Sequence, residues 1–254
     1  MVKGPKKTKL IGARRNRFPQ AFRARLGALV EQLYPVDCLV CGERLAGGVQ
    51  ICDGCRGCLA AIVDASCPRC GRPDSPAESP CGSCQRQPPR FVTVHAPWRY
   101  REPLASWIRG FKYANQLGLE RTLADLADEQ LTDWLATYRI DALLAVPLHR
   151  GRLRERGYNQ ADRLAALLAR MHGLPHLRRG LVRHRPTPAQ SALPDRRRRT
   201  NVRDAFRAEG QAVYGRRIAL VDDVITTGAT ADAAAAALLE AGAAAVYVVA
   251  VARA

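Results

Sequence analysis

Residues 217–230, RIALVDDVITTGAT, place an apolar run, two adjacent carboxylates and a stretch of small and hydroxyl residues around Gly228 directly ahead of an alanine-rich segment. Few architectures accommodate that order. The run from Arg217 to Val221 is short and continuously apolar, as in a strand buried on both faces of a parallel sheet. Such a strand delivers Asp222 and Asp223 to the carboxyl edge of the sheet, where open α/β folds bind their ligands. Thr226, Thr227, Gly228, Ala229 and Thr230 can then wrap an anion with backbone N–H groups, helped by hydroxyls and by the positive end of the next helix. The two carboxylates can accept charge-assisted hydrogen bonds from the vicinal hydroxyls of a ribose.

The surrounding sequence predicts the rest of an α/β fold. Apolar residues at helical spacing predict two helices within 103–138, and Gln160–Met171 predicts another. Asp141–Leu148 and Ala244–Ala252 read as buried strands, with an alanine-rich helix ending at Ala241 before the second. Strand and helix alternate, so the sheet is expected to be mainly parallel and covered by helices on both faces. The segment Arg178–Arg207 contains ten arginines and no strong period, which predicts a loop or hairpin.

Nine cysteines lie between residues 38 and 84. Cys38, Cys41, Cys52 and Cys55 recur as Cys67, Cys70, Cys81 and Cys84, each shifted by 29 residues. Each set is CxxC, ten residues, CxxC. Four thiolates from two such knuckles suit tetrahedral Zn²⁺, and Gly42 and Gly71 follow the leading pairs where a turn around metal is tight. One or two structural zinc ions are expected, stabilising a module too small for a large core. The pairing stays open, because interleaved sets use the same residues and Cys58 forms another CxxC with Cys55. Cys58 reads as a spare thiol.

Forty Lys and Arg against 23 Asp and Glu give a net charge of +17, which points to a polyanionic or phosphorylated partner. Residues 1–20 hold seven of these cations and no acid, so they read as a disordered basic arm. A short amphipathic helix is expected over Ala21–Leu33. No secretory signal and no membrane span is evident, and the expected location is cytoplasmic. The expected organisation is an arm (1–20), a cysteine-rich double zinc-binding module (21–90) and an α/β domain (91–254).

Residues 217–230 resemble the phosphoribosyl pyrophosphate (PRPP) motif of type I phosphoribosyltransferases. LYPVDCLVCG, the further CxxC pairs, WIRGFKY (107–113), VPLHRGRLRERGYNQ (146–160), RPTPAQ and RTNVRDAF resemble the ComF family of competence-associated proteins. The likeness begins after about residue 25. It implies a site for PRPP or ribose 5-phosphate made by Asp222, Asp223 and residues 226–230. In the transferase scheme the turn after the first strand binds pyrophosphate, and here it offers Arg150, Arg152, Arg154 and Arg156. The resemblance further implies Mg²⁺ on the pyrophosphate, displacement at ribose C1 with Asp222 and Asp223 as catalytic residues, and a link to DNA uptake. The arginine-rich segment, with Arg196–Arg199, would close over the site. The alternative is a protein that binds single-stranded DNA or senses a ligand on the same fold without transferase activity.

Overall fold

In the computed structural model the described residues are 36–45, 50–63, 65–113, 116, 118–185 and 204–254. The chain divides into two compact units, residues 1–50 and 51–254. Within the first, β1 (Val36–Asp37) pairs antiparallel with β2 (Arg44–Leu45). The expected basic arm and the helix over Ala21–Leu33 lie outside the described residues.

The second unit contains α1 (Asp53–Gly57), α2 (Gly82–Arg86), β3 (Val94–His95), β4 (Trp98–Arg99), α3 (Leu104–Tyr113), α4 (Leu119–Ala127) and α5 (Leu131–Thr137). Then come β5 (Ala142–Ala145), α6 (Arg150–Arg156), α7 (Gln160–His172), β6 (Leu181–Arg183), β7 (Phe206–Ala208) and α8 (Gly210–Val213). The chain closes with β8 (Arg217–Ile225), α9 (Ala229–Glu240) and β9 (Ala245–Arg253). The fold is mixed α/β. Its main sheet has the order β3–β9–β8–β5 with β4 also on β9, and every pairing in it is parallel.

Alternation along the strands divides the core. Ile218 and Leu220 of β8 and Val246, Val248 and Ala250 of β9 share one cluster with Ala231, Ala234, Ala235 and Leu238 of α9. Alanine at those helix positions lets α9 lie close to the sheet. On the remaining strand positions pack α4 and α7, whose Leu123, Leu126, Leu164 and Leu168 are buried.

The register of β8 opens the edge of the sheet. On one side β8 stays paired with β9 to the Ile225–Arg253 pair. On the other, β5 ends at Ala145 opposite Val221, and Val146 N–H makes the last bond to the Val221 carbonyl (2.9 Å). From Asp222 onward that flank of the strand has no neighbouring strand among the described residues. The expected strand ending at Val221 therefore runs four residues further and carries both aspartates within it.

Two other expectations are corrected. Residues 103–138 form three helices, because the residue at 130 takes a left-handed conformation (φ 58°) that interrupts the second and starts a third. The turn expected around Arg150 is a helix: Arg, Leu and Glu favour it, His149 Nδ1 accepts from Gly151 N–H (3.2 Å), and Gly157 (φ 78°) ends it. The ends of the arginine-rich segment form an antiparallel ribbon, β6 with β7. Residues 186–203, including Arg196–Arg199, lie outside the described residues.

Leu164 is fully buried where α7 meets β5 and β8. Leu164→Ala should cost about 2–5 kcal/mol in urea unfolding, from lost burial and the cavity left behind. Leu153→Ala, at a residue 41% exposed, should change stability by no more than about 0.5 kcal/mol.

Candidate functional site

The open flank of β8 borders a cavity of about 480 Å³. Asp222, Asp223, Thr226, Gly228, Ala229 and Thr230 line it from β8 and the start of α9. Gly228 takes the left-handed conformation (φ 77°) immediately before α9, which a side chain would oppose. Thr227 does not line this cavity. Its hydroxyl accepts from Ala229 N–H (3.3 Å) and so braces the turn from within.

Of the four arginines expected after the first strand, Arg152 and Arg156 line the cavity. They stand four apart on α6, hence on one face of it. Arg150 and Arg154 are not among the lining residues. His149 serves as the cap of α6.

Three further cations line the cavity: Arg109, Lys112 and Arg183. Lys112 Nζ lies 2.8 Å from Asp223 Oδ1, with side-chain exposures of 22% and 7%. Burial disfavours the Lys112 ammonium, but the charge and hydrogen bond of Asp223 outweigh that and leave its pKa raised. Arg183, delivered by β6, sits with its guanidinium over the Phe206 ring at 5.5 Å. Burial and the neighbouring Arg152 lower its pKa, and Asp222 opposes them. Five cations thus face two carboxylates.

Lys112 is held in place by residues of the 146–160 segment. Tyr158 donates its hydroxyl to the Phe111 carbonyl, and Gln160 Nε2 donates to the Lys112 carbonyl (3.2 Å). These are last-turn carbonyls of α3, which lack partners inside the helix. Asn159 caps α7 through Ala161 N–H (3.1 Å) and donates to the Val146 carbonyl (3.0 Å). Tyr-Asn-Gln therefore ties the strand end, α3 and α7 together around the cavity. WIRGFKY and GYNQ stand out in the sequence as motifs, but their residue types alone do not assign these roles. The available signal was a buried-face helix ending in a lysine and an exposed tyrosine, Tyr113, whose ring carries Arg156 at 4.7 Å.

Asp222 is the perturbed group of the site. Burial first, and the adjacent Asp223 charge second, push its pKa from the ordinary carboxylate value up to about 7, against the opposing pull of Lys112. Its Oδ1 accepts from Asp223 N–H (2.9 Å). Near neutral pH the Asp222 carboxyl is therefore poised between accepting and donating a hydrogen bond, beside the Lys112–Asp223 ion pair.

Next to this cavity lies the second cysteine set. Cys67, Cys70, Cys81 and Cys84 are all buried, and their sulfurs lie within 4.8 Å of one another. Cys70 and Cys81 Sγ are 3.8 Å apart. That is about the edge of a tetrahedron with 2.3 Å Zn–S bonds, and far longer than a disulfide. The set fits structural zinc. Its leading knuckle closes through Cys67 N–H to Arg72 O and Gly71 N–H to Cys67 O, both 2.9 Å. The first unit repeats this at Cys38: Cys38 N–H bonds Glu43 O (2.7 Å) and Gly42 N–H bonds Cys38 O (2.9 Å). Gly42 (φ 74°) and Gly71 (φ 64°) occupy equivalent left-handed positions. The trailing cysteines Cys52 and Cys81 each precede a short helix, α1 and α2. Cys58 is exposed and outside both sets.

Residues 29–85 match the family of double zinc ribbon domains. Over 185 residues the chain is 38% identical to Competence protein F of Haemophilus influenzae, covering 69% of this chain and 80% of that protein. It is 34% identical over 219 residues to DNA utilization protein YhgH of Escherichia coli strain K12, covering 84% and 95%. Competence protein ComFC of Bacillus subtilis is 26% identical over 237 residues, covering 84% and 92%. Among the described residues no helix is long and apolar enough to cross a membrane.

Chelator-free preparations should contain zinc by elemental analysis, and Cys67→Ser should lower both zinc content and thermal stability, since structural metal contributes folding free energy. Zinc-free protein with oxidised thiols would contradict this. A second measurement addresses Asp222. Because its folded pKa lies above the unfolded one, the unfolded state releases its proton first, and the contribution of Asp222 to stability falls as pH rises from about 4 to 7. Asp222→Asn lacks this loss. Its melting temperature relative to wild type should therefore rise between pH 4.5 and pH 8, and a difference independent of pH would refute the raised pKa.

Proposed function

We propose that this chain, which belongs to the ComF/YhgH family of competence and DNA utilization proteins, binds a phosphorylated ribose, PRPP or ribose 5-phosphate, in the cavity at the end of β8. One observation carries the reading. The acidic pair and the Gly228 turn at the start of α9 border the same 480 Å³ space, and five cations surround it. Asp222 and Asp223 would accept the ribose hydroxyls, Thr226, Gly228, Ala229 and Thr230 would hold the 5-phosphate, and Arg152 and Arg156 would take the pyrophosphate. Thr227 supports the turn, and Arg150 stands at the head of the arginine helix.

The activity this arrangement suits is transfer: an acceptor bonds to ribose C1 as the bond from C1 to pyrophosphate breaks. The chain's part in that step is positioning and charge stabilisation. Mg²⁺ belongs in this reading to the pyrophosphate of the ligand, and the Lys112 ammonium, 2.8 Å from Asp223 Oδ1, already stands at one carboxylate of the acidic pair. Both cysteine sets are read as structural zinc sites within residues 21–90, and residues 91–254 as the ligand-binding domain.

Single-stranded DNA is the macromolecular partner in this reading. Support comes from the net charge of +17, the seven cations of residues 1–20, Arg196–Arg199, and relatives named for competence and DNA utilization. The proposed place of action is the cytoplasm, where DNA that has been taken up is handled.

Calorimetric titration with PRPP tests the site. Asp223→Asn should weaken binding by about 1.5–3 kcal/mol, the range for a hydrogen bond to a charged group, and unchanged affinity there and in Asp222→Asn would remove the ribose assignment. Release of pyrophosphate with a panel of acceptors separates a transferase from a ligand sensor. For DNA, affinity should fall steeply with salt, and deleting residues 1–20 should flatten that slope while leaving PRPP binding intact. Absence of DNA binding at low salt would leave a small-molecule protein.

A further inference from the structure

The second cysteine set and the Gly228 turn are joined through one buried arginine. Arg253, the last residue of β9, is only 2% exposed. Its Nε donates to the Cys70 carbonyl (2.9 Å), and its Nη1 donates to the carbonyls of Ile225 (3.2 Å) and Thr226. Cys70 ends the leading CxxC of the cluster, and Thr226 begins the turn. One planar guanidinium thus spans from the metal knuckle to the proposed ligand loop.

Packing reinforces the link. Phe91, 1% exposed, shares a core cluster with Cys67, Cys70, Cys81 and Cys84. Its ring lies 3.6 Å from where a Cβ on Gly228 would stand. Beside it, Arg90 N–H donates to Asp232 Oδ1 (2.6 Å) in the first turn of α9. The space enclosed by Cys70, Cys84, Phe91, Thr227, Gly228 and Arg253 is about 20 Å³, room for about one water molecule. On that side loop and knuckle are nearly in contact, while on the other a space of about 470 Å³ opens between Arg72, Thr226, Thr227 and Arg253.

We propose that Arg253 is a positioning residue through which metal occupancy of Cys67, Cys70, Cys81 and Cys84 sets the geometry of the 226–230 loop, so that zinc and a phosphorylated ligand bind with positive coupling. The proposal rests on the reading of that loop as the ribose-phosphate site. A buried guanidinium requires its carbonyl acceptors, because an unpaired charge in the interior is costly. A tetrahedron of thiolates around zinc fixes where the Cys70 carbonyl stands. When the metal leaves, that carbonyl shifts, and Arg253 either loses an acceptor or follows it and draws the Thr226 carbonyl along. The rigid fork of the guanidinium transmits the displacement where a flexible ammonium would absorb it. Reciprocity then demands that a ligand favouring the closed loop tighten zinc by the same factor.

The experiment uses the full-length zinc-loaded protein, with PRPP as the probe, in wild type, Arg253→Lys and Leu164→Ala. Zinc transfer to a chromogenic chelator is followed with and without PRPP, alongside PRPP affinity and amide hydrogen exchange over residues 222–232. In wild type PRPP should slow zinc transfer about tenfold. Arg253→Lys, checked for full zinc content and unchanged circular dichroism, should lose that slowing, bind PRPP about tenfold more weakly and exchange faster over the loop. Leu164→Ala, destabilised at a distance, should keep the slowing, which separates coupling from general loss of stability. The proposal is overturned if wild type binds PRPP but its zinc transfer is unaffected, or if Arg253→Lys retains the coupling. Should Arg253→Lys fail to fold, the wild-type comparison with and without PRPP decides. If wild type binds no PRPP, the ribose-phosphate reading fails and loop exchange decides the coupling: faster exchange on partial zinc removal supports it, and unchanged exchange overturns it.

Discussion

Everything at the site depends on how far β8 outruns β5. A strand paired on both sides has no room for a ligand at its edge. Here pairing with β9 continues through Ile225 while pairing with β5 ceases at Val221, so Asp222 and Asp223 emerge where one flank is open. The strand remains anchored on the β9 side, which keeps the carboxylates from swinging away. The same backbone then turns at Gly228 and starts α9, bringing the first residues of the helix to the cavity that the aspartates face. Carboxylates and a glycine turn at a helix start are thereby placed together by one short length of chain.

Charge in that cavity is unevenly balanced by the neighbouring elements. α3 contributes Arg109 and Lys112, α6 contributes Arg152 and Arg156, and β6 contributes Arg183, against the two aspartates. Lys112 pairs with Asp223 directly, and burial together with the adjacent Asp223 charge raises the pKa of Asp222 against the opposing pull of Lys112. What remains is a surplus of guanidinium groups without comparable acid inside the cavity, a field suited to a ligand with several phosphate charges. The ion pair also prevents the acidic residues from opposing that field.

The cysteines serve more than a separate appendage. The four sulfurs of the second set belong to the same hydrophobic cluster as the strands β8 and β9 and the helix α9. Hydrogen bonding repeats between the knuckles at Cys38 and Cys67, yet only the second lies in the unit that carries the site. A duplicated local motif has thus been given two different surroundings. In the second, Arg253 and Phe91 connect the cysteine set to the Gly228 turn.

Local chemistry was legible in the residues themselves. The Asp222–Asp223 pair, the Gly228 turn, the cysteine sets and the mainly parallel sheet all follow from the amino-acid sequence, because each is specified within a few residues by backbone geometry or ligand spacing. Sequence misleads where local rules compete: the run after Arg150 is both basic and a good helix former, and its caps decide for helix. The tertiary structure alone supplied Lys112 on Asp223, Arg183 at the cavity wall, the ties of Tyr158 and Gln160 to α3, and Arg253 between Cys70 and Thr226. The two contacts of Arg253 alone reach across 183 and 27 residues of chain. Composition marks such residues only as cations and polar groups. Which of them meet is set by strand register and helix packing, because a buried charge is tolerated only where the completed fold brings it an acceptor.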